Sequence, residues 1–377
     1  MKKLQAMLER EPAHVALMRD GRLAGQPGWG IPTIEPEILD PLVVGQLVRH
    51  ALGDIKRGVA TGVKAVLEPD RNELSPWIDD PGHAYADGER ANWKLSALVS
   101  SNQAYCLVKL VGSHSLNRLL GLERSQSHDV LYHKLTMRPM AAFEASAYSS
   151  QRTGAYASIV VDCLLKDVAS FNVFLFGTGR VAAAVAEDLQ AHHASRVHRL
   201  YVKSHSVERA AQFAREIAPR VTFPVVAVER LDRMAFCALV VMASNAAAPL
   251  FAEEHIDRDA VVLHLSGDET PATWVRRVLE TGTVICDDIA TVSHRNSQSL
   301  ALYFSRKRQS LDANVSRYQM HDLWQIRDDP TFRCRLPALV TCVGLPVLDL
   351  YLAQYVYERA EPGRTEAAND AIATRSG

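Results

Sequence analysis

An α/β chain organised around a doubly wound parallel sheet is encoded in the middle of this sequence, and two patterns carry that prediction. Short apolar runs of strand length alternate with helical stretches from about residue 152 to about 308, as they do when a parallel sheet is covered on both faces. A glycine turn, Gly177-Thr178-Gly179-Arg180-Val181-Ala182, falls between the first such run and the first such helix.

The first run is Phe171-Asn172-Val173-Phe174-Leu175-Phe176, aromatic and β-branched. After the turn, the alanine-rich stretch Arg180–Leu189 predicts a helix. Further strands are predicted at Val197–Val202, Phe223–Val228, Ala238–Met242, Ala260–Leu265 and Thr283–Cys286. Helices are predicted at Val207–Ile217 and Pro271–Glu280, with Pro271 in the first turn, where its missing N–H is no loss.

The flanks read differently. Over residues 34–57, Leu39, Leu42, Val43, Leu47 and Leu52 recur at helical spacing. Residues 58–92 hold Pro69, Pro76, Pro81 and several glycines, which predicts a long irregular surface connection. A strand is expected at Tyr105–Val111, another beginning at Val130-Leu131, and a helix at Leu348–Arg359. The polar tail from Glu361 is expected to fray.

Composition narrows the function classes. At about 100–200 residues per domain, 377 residues predict two domains. The 42 Lys and Arg residues against 43 Asp and Glu argue against binding nucleic acid by bulk phosphate neutralisation. No apolar run approaches the roughly 20 residues that span a bilayer. Near the N-terminus, Glu9, Arg10 and Glu11 interrupt any signal-peptide core, so a cytoplasmic protein is expected. The six cysteines form no CxxC pair and do not read as a disulfide framework. Cys163, Cys237 and Cys286 lie in apolar runs and are expected as buried free thiols. His192 and His193 are adjacent, no HxxxH or HExxH occurs, and no zinc site is expected.

The glycine turn fits GxGxxG/A in the required strand-turn-helix context. Gly177 permits the tight turn, Gly179 lets backbone N–H groups approach a diphosphate, and small Ala182 allows close helix–strand packing. The helix N-terminus then faces the anion. A Rossmann-type dinucleotide site is therefore expected, with Gly177, Thr178, Gly179, Arg180 and Val181 along the coenzyme. The second strand ends Tyr201-Val202-Lys203-Ser204-His205, with no acid at its tip to hold a ribose 2′-hydroxyl. Lys203, Ser204 and His205 suit a 2′-phosphate, which favours NADP(H) over NAD(H); a solvated strand end is the other reading. Ser244 and Asn245 end the fourth strand on the same edge and are expected to line the crevice. The organisation expected is a dinucleotide domain over 152–319. A discontinuous α+β domain for substrate binding and dimerisation is expected from 1–151 and 320–377.

Cations stand among small residues ahead of the turn. Lys109 precedes Val111-Gly112-Ser113, Asn117 precedes Gly121 and Arg124, and Arg152 sits in Ser149-Ser150-Gln151-Arg152-Thr153-Gly154-Ala155. Such cations can hold an α-carboxylate, with arginine binding it bidentately. Singly, each reads as a solvated charge or a salt-bridge partner; as a set, their order is distinctive.

That set resembles the ornithine cyclodeaminase/μ-crystallin family, from about Lys94 to Arg359. The C-terminal half is similar to the N-(2-amino-2-carboxyethyl)-L-glutamate dehydrogenases of 2,3-diaminopropionate biosynthesis, which serves siderophores. The residues concerned are His264-Leu265-Ser266, Asp287-Asp288-Ile289 and Val343-Gly344-Leu345-Pro346-Val347-Leu348-Asp349-Leu350. The resemblance implies an NAD(P)-dependent oxidoreductase working on a CH–NH bond of an amino-acid-derived amine or imine. It equally accommodates an ornithine or lysine cyclodeaminase, a ketimine reductase, or a non-catalytic μ-crystallin-like binding protein. It implies a homodimer, and it implies Lys109 and Arg152 as ligands of the substrate carboxylate, with Lys94 where relatives often carry arginine. Asn117 and Arg124 fall on the substrate side by the same likeness, and Ser150, Thr153, Ser266 and Gly344 on the coenzyme side. A catalytic acid is implied in the loop Ser266–Pro271, either Asp268 or Glu269, with Lys109 the other candidate for moving a proton. Both acids also read as residues capping the Pro271 helix. Two departures stand out: no basic residue lies beside these acids, and Pro346 replaces the glycine of the family's usual GLG.

Overall fold

The computed structural model describes residues 31–34, 38–70, 73 and 93–360. The chain divides into two compact units. One comprises Met1–Ile38, Val59–Tyr148 and Asp349–Gly377; the other comprises Leu39–Gly58 and Ser149–Leu348.

The first unit is built on six strands: β1 (Thr33–Ile34), β2 (Thr61–Leu67), β3 (Lys94–Ser101), β4 (Tyr105–Ser113), β5 (Ser125–His133) and β6 (Pro139–Glu144). Their order is β1-β6-β5-β4-β3-β2. Strands β2 to β6 pair antiparallel, and β1 joins β6 in parallel. Alternation along each strand separates two faces. One face buries Leu98, Leu107, Lys109, Asp129 and Leu131, while the other leaves Val63, Leu67, Leu95, Val99 and Leu110 exposed.

Strand β2 lies where an irregular connection was expected, between Gly58 and the first proline of that stretch. Its apolar residues Val63 and Leu67 point to the exposed face, so they carry no buried-strand signature, and pairing along β3 is what holds it. Residues 71–72 and 74–92 of that connection, and the tail from Glu361, lie outside the described residues.

The second unit contains β7 (Phe171–Phe176), β8 (Val197–Lys203), β9 (Val225–Ala227), β10 (Leu239–Met242), β11 (Val261–His264), β12 (Thr283–Cys286), β13 (His321–Asp322) and β14 (Ala338–Thr341). They form one sheet, order β9-β8-β7-β10-β11-β14-β12-β13, with every neighbouring pair parallel. All residues of β10, β11, β12 and β14 are buried, which explains why their sequences are apolar but for His264, Thr283 and Thr341 at strand ends. From β7 the chain runs outward through β8 and β9, then returns to β10 on the other side of β7. The carboxyl ends of β7 and β10 therefore flank a topological switch point.

The boundary expected at residue 319 falls too early. Strand β14 inserts between β11 and β12 and β13 pairs with β12, so this unit continues to Leu348. Strand β13 spans only two residues, too short to show a period, and β14 stands apart from the strand–helix alternation of residues 152–308.

Helix Pro41–Lys56 also belongs to the second unit, with Asp40 accepting the Leu42 N–H (2.8 Å) as its cap. Its buried stripe is Val44, Val48, Ala51 and Leu52, rotated from the one expected, and Leu42 is exposed. The small residues face inward because the His192 ring of helix Arg180–His193 packs directly on Gly45. Two smaller expectations also change. Pro271 is the N-cap of helix Ala272–Thr281, not a first-turn residue. Cys163 is half-buried, whereas Cys237 and Cys286 are buried, and all six thiols are free. Among the described residues, no helix is long and apolar enough to cross a membrane.

Candidate active site

The turn that leaves β7 is shaped by one close approach. Gly177 has φ of +112°, and a Cβ there would collide with the carbonyl oxygen of Ala243, just beyond β10. Glycine is thus required both by the backbone conformation and by the neighbouring strand end. Gly179 differs: its φ is −93°, and a Cβ would meet no protein atom within 4 Å. Neither conformation nor packing demands glycine at this position. Gly179 is the N-cap of Arg180–His193 and offers that helix no side-chain cap, so the N–H groups of its first turn are open to an anion.

The tip of β8 borders this turn. Ser204 Oγ lies 3.4 Å from Thr178 Oγ1, and Lys203 Nζ donates to the carbonyl of Glu229 at 2.5 Å. On the other side, Ser244 Oγ accepts the Ala246 N–H (3.1 Å) in the loop after β10.

The loop after β11 separates its two acids. Asp268 pairs with Arg306 and is partly exposed, whereas Glu269 is fully buried and accepts from Ser266 Oγ at 2.6 Å. Neither caps the following helix, whose N-cap Pro271 has no side-chain hydrogen bond. Residues Gln298 and Ser299 hold the loop in place. Gln298 Nε2 donates to the carbonyls of Ser266 (2.8 Å) and Cys342 (2.9 Å), and Ser299 Oγ accepts the Thr270 N–H (2.9 Å).

Arg152 lies in helix Ser146–Gly154, is buried, and belongs to the second unit through the segment Ser149–Leu348. It is therefore not grouped with Lys109 and Arg124, which lie in the first. Ser150 and Thr153 share its helix, where Thr153 Oγ1 bonds the Ser149 carbonyl (2.9 Å).

In the first unit, Lys109 on β4 is 1% exposed, and its ammonium bonds Asp349 Oδ1 at 2.7 Å; Asp349 is 0% exposed. Opposite Lys109 in the sheet register stands Asp129, also fully buried, which accepts from Tyr148 Oη at 2.8 Å. Burial, then the Asp129 carboxylate, pushes the Tyr148 hydroxyl well above its ordinary pKa, so it stays a donor. Lys94 begins β3 on the same face as Lys109, four residues along. Asn117 turns into its own loop, donating from Nδ2 to the Glu123 carbonyl (3.0 Å), and Arg124 closes that loop by accepting the His114 N–H on its carbonyl (2.8 Å). Sequence reasoning missed Asp129, Tyr148, Asp287, Gln298 and the partnership of Lys109 with Asp349. The advance signals were the acids Asp287 and Asp349, each quoted within a motif but given no role. Among the described residues no group of three or more His, Cys, Asp or Glu could hold a metal.

The sequence model of the ornithine cyclodeaminase/mu-crystallin family matches residues 60–364, most of the chain. The chain belongs to this family. Its fold matches that of Thermococcus litoralis Δ1-pyrroline-2-carboxylate reductase in complex with NADH and L-proline, with a TM-score of 0.71 at 17% identity over 86% of this chain and 94% of that one. An archaeal alanine dehydrogenase dimer with bound NAD matches with a TM-score of 0.71 at 17% identity, over 89% and 97%. A probable ornithine cyclodeaminase from Bordetella pertussis Tohama I matches with a TM-score of 0.67 at 20% identity, over 89% and 99%. No curated protein matches this sequence. The family and the α/β fold expected from the sequence are borne out.

The Lys109–Asp349 pair yields a stability prediction. Asp349→Ala leaves a buried ammonium without its carboxylate and is expected to destabilise by about 3–5 kcal/mol. Lys109→Met combined with Asp349→Leu removes both charges and should recover most of that loss. Urea unfolding of the two variants and the parent measures both.

Proposed function

We propose that this chain is an NAD(P)-dependent oxidoreductase acting on the CH–NH bond of an amino-acid-derived secondary amine. The substrate class is that of N-(2-amino-2-carboxyethyl)-L-glutamate, and the product a non-proteinogenic amino acid for siderophore or peptide natural-product synthesis. The observation that carries the coenzyme half is the contrast at the turn. Gly177 is demanded by packing, but Gly179 only by something that must come close to the backbone. The uncapped helix start beside it fits a diphosphate. Supporting this, the pyrroline-carboxylate reductase holds NADH and the alanine dehydrogenase NAD.

The residues that would hold the coenzyme are those of the turn from Gly177 to Val181, with Ser150, Thr153, Ser244, Asn245, Ser266 and Gly344. Lys203, Ser204 and His205 would face the adenosine ribose. With no acid at the tip of β8, NADP(H) is favoured over NAD(H). When bound, the nicotinamide supplies hydride transfer at the carbon bearing nitrogen.

The protein's own groups orient and protonate. Arg152 binds the substrate α-carboxylate bidentately, and this fixes the Cα–H direction. Glu269 is the better candidate of the two loop acids, because it is fully buried whereas Asp268 forms a partly exposed pair with Arg306. Glu269 takes the amine proton as the imine forms, and water then hydrolyses the imine to a 2-keto acid and the freed amine; Lys109, already an ammonium paired with Asp349, has no place to take a proton. Six free thiols fit a reducing compartment, and we place the enzyme in the cytoplasm.

A second reading, an ornithine or lysine cyclodeaminase, is favoured by the position of Glu269, because the cyclodeaminases of this family place an acid just after the fifth strand. Reduced-coenzyme absorbance separates the readings across N-(2-amino-2-carboxyethyl)-L-glutamate, ornithine, lysine and cyclic imines. Stoichiometric formation of reduced coenzyme with the first compound supports the dehydrogenase. Cyclisation without net reduction supports the cyclodeaminase, and coenzyme binding without turnover of any compound points to a binding protein.

The exposed apolar face of β2, β3 and β4 sets Val63 against Val99 and Leu67 against Leu95, with Leu110 beside them. We assign it to a second copy of this chain, in keeping with its continuity across three neighbouring strands and the dimeric alanine dehydrogenase.

Three outcomes are expected. Arg152→Ala abolishes turnover while coenzyme affinity survives, checked by calorimetry with NADP(H) and NAD(H). Gly179→Ala weakens coenzyme binding at least about tenfold with little change in melting temperature, since an added Cβ meets no protein atom within 4 Å. Val99→Glu converts the dimer to a monomer in sedimentation velocity; an unchanged mass would reject that face as the interface.

A further inference from the structure

Arg152 rests on a bare stretch of backbone. Gly344 follows β14 with φ of +80°, and a Cβ there would collide with Nη1 of Arg152. That backbone is in turn held by one carboxylate. Asp287, immediately after β12, is fully buried and accepts the N–H groups of Val343 (3.2 Å), Gly344 (2.8 Å) and Asp288 (3.1 Å) and the hydroxyl of Tyr156 (3.0 Å). Strands β12 and β14 are neighbours, with Cys286 paired to Thr341, so their ends leave the sheet side by side and Asp287 ties one to the other.

We infer that Asp287 is a positioning residue, one that seats the Arg152 guanidinium through the Gly344 turn so that it meets the substrate α-carboxylate. This rests on the role given to Arg152 above. A carboxylate buried this deeply is tolerated only when its oxygens are satisfied. Here the donors come from a helix, from its own strand end and from two successive residues of the turn beneath Arg152. Losing the carboxylate's charge weakens all four bonds together, and the first segment released is the one on which the guanidinium lies.

The seat therefore depends on pH. Burial raises Asp287 to about 6, against the opposing pull of its hydrogen bonds. Facing it are Tyr156 on its helix, Cys342 after β14, Cys286 and Asp288 on its own segment, and Arg152, which acts on Tyr156 and Cys342. Asp322 on β13 acts on Cys286, and Asp288 in turn acts on Asp322. Tyr156, Cys286 and Cys342 are all pushed well above their ordinary values by burial and do not titrate in this range. Asp322 is raised to about 6 as well, chiefly by burial, so the test must single out Asp287. Above about 6 Asp287 is ionised and the turn is held; below it the carboxyl is neutral and the turn loosens.

Two variants and two measurements test this. Asp287→Asn puts an amide donor against backbone donors. It should speed hydrogen–deuterium exchange of the peptide holding Val343 and Gly344 and raise KM for N-(2-amino-2-carboxyethyl)-L-glutamate about tenfold at neutral pH, more than it lowers kcat. Tyr156→Phe removes a hydrogen bond that lowers the Asp287 pKa. The rise of KM in acid, near pH 6 in the parent, should then move to higher pH, and Asp322 gives no reason for such a shift. Unchanged exchange in Asp287→Asn, or an acid limb unmoved by Tyr156→Phe, would overturn the seat. Faster exchange with unaltered KM would instead overturn Arg152 as the carboxylate ligand. Should Asp287→Asn not fold, Tyr156→Phe alone decides the matter.

Discussion

Close packing at the Gly177 turn governs the geometry of the carboxyl edge of the parallel sheet. There β7 hands the chain to a helix while β10 ends beside it, and the two are so near that a single methyl group would collide with the Ala243 carbonyl. Because the turn cannot shift, the start of helix Arg180–His193 is fixed against the sheet, and its unshared N–H groups face one defined place. Other polar side chains stand at the neighbouring strand ends: Ser204 after β8, beside Thr178 of the turn, Ser244 after β10, and Ser266 with Glu269 after β11. A doubly wound sheet concentrates chemistry in this way because its carboxyl ends converge where the strand order reverses.

Buried charge is the second organising theme, and each buried acid is handled differently. Asp349 is matched by an ammonium, Asp129 by a phenol, Glu269 by a serine hydroxyl, and Asp287 by three backbone N–H groups and a phenol. None of these arrangements adds much net stability, since taking ions out of water cancels most of the attraction. What they provide is definition: each permits one geometry and penalises others by leaving a polar atom unpaired. Groups meant to bind or move protons need such fixed surroundings.

Much of the architecture was legible. Six of the eight parallel strands and the principal helices could be placed because burial on both faces leaves unbroken apolar runs, and helices leave their own period. The glycine turn was legible because its chemistry is local, contained in the six residues Gly177 to Ala182. Strand β13 escaped because two residues carry no period, and β2 because its apolar side chains face outward, where alternation mimics a loop with scattered hydrophobics. Strand β14 is as short and as buried as β10, β11 and β12, but stands apart from the strand–helix alternation of residues 152–308. The buried stripe of helix Pro41–Lys56 was misplaced because the inward side was chosen by the His192 ring settling on Gly45, a fact about another helix.

Residue order alone was enough for the family, the strand-turn-helix site and the set of candidate cations, since all of these are written in short spacings. Folding was needed to sort those candidates. Lys109 turned out to be buried against Asp349, 240 residues away, Asp287 was joined to Tyr156 across 131 residues, and the Gly344 turn was hung on Asp287 across 57. Such partnerships follow from strand register and helix docking, which bring distant segments within 3 Å without leaving any periodic trace in the chain between them.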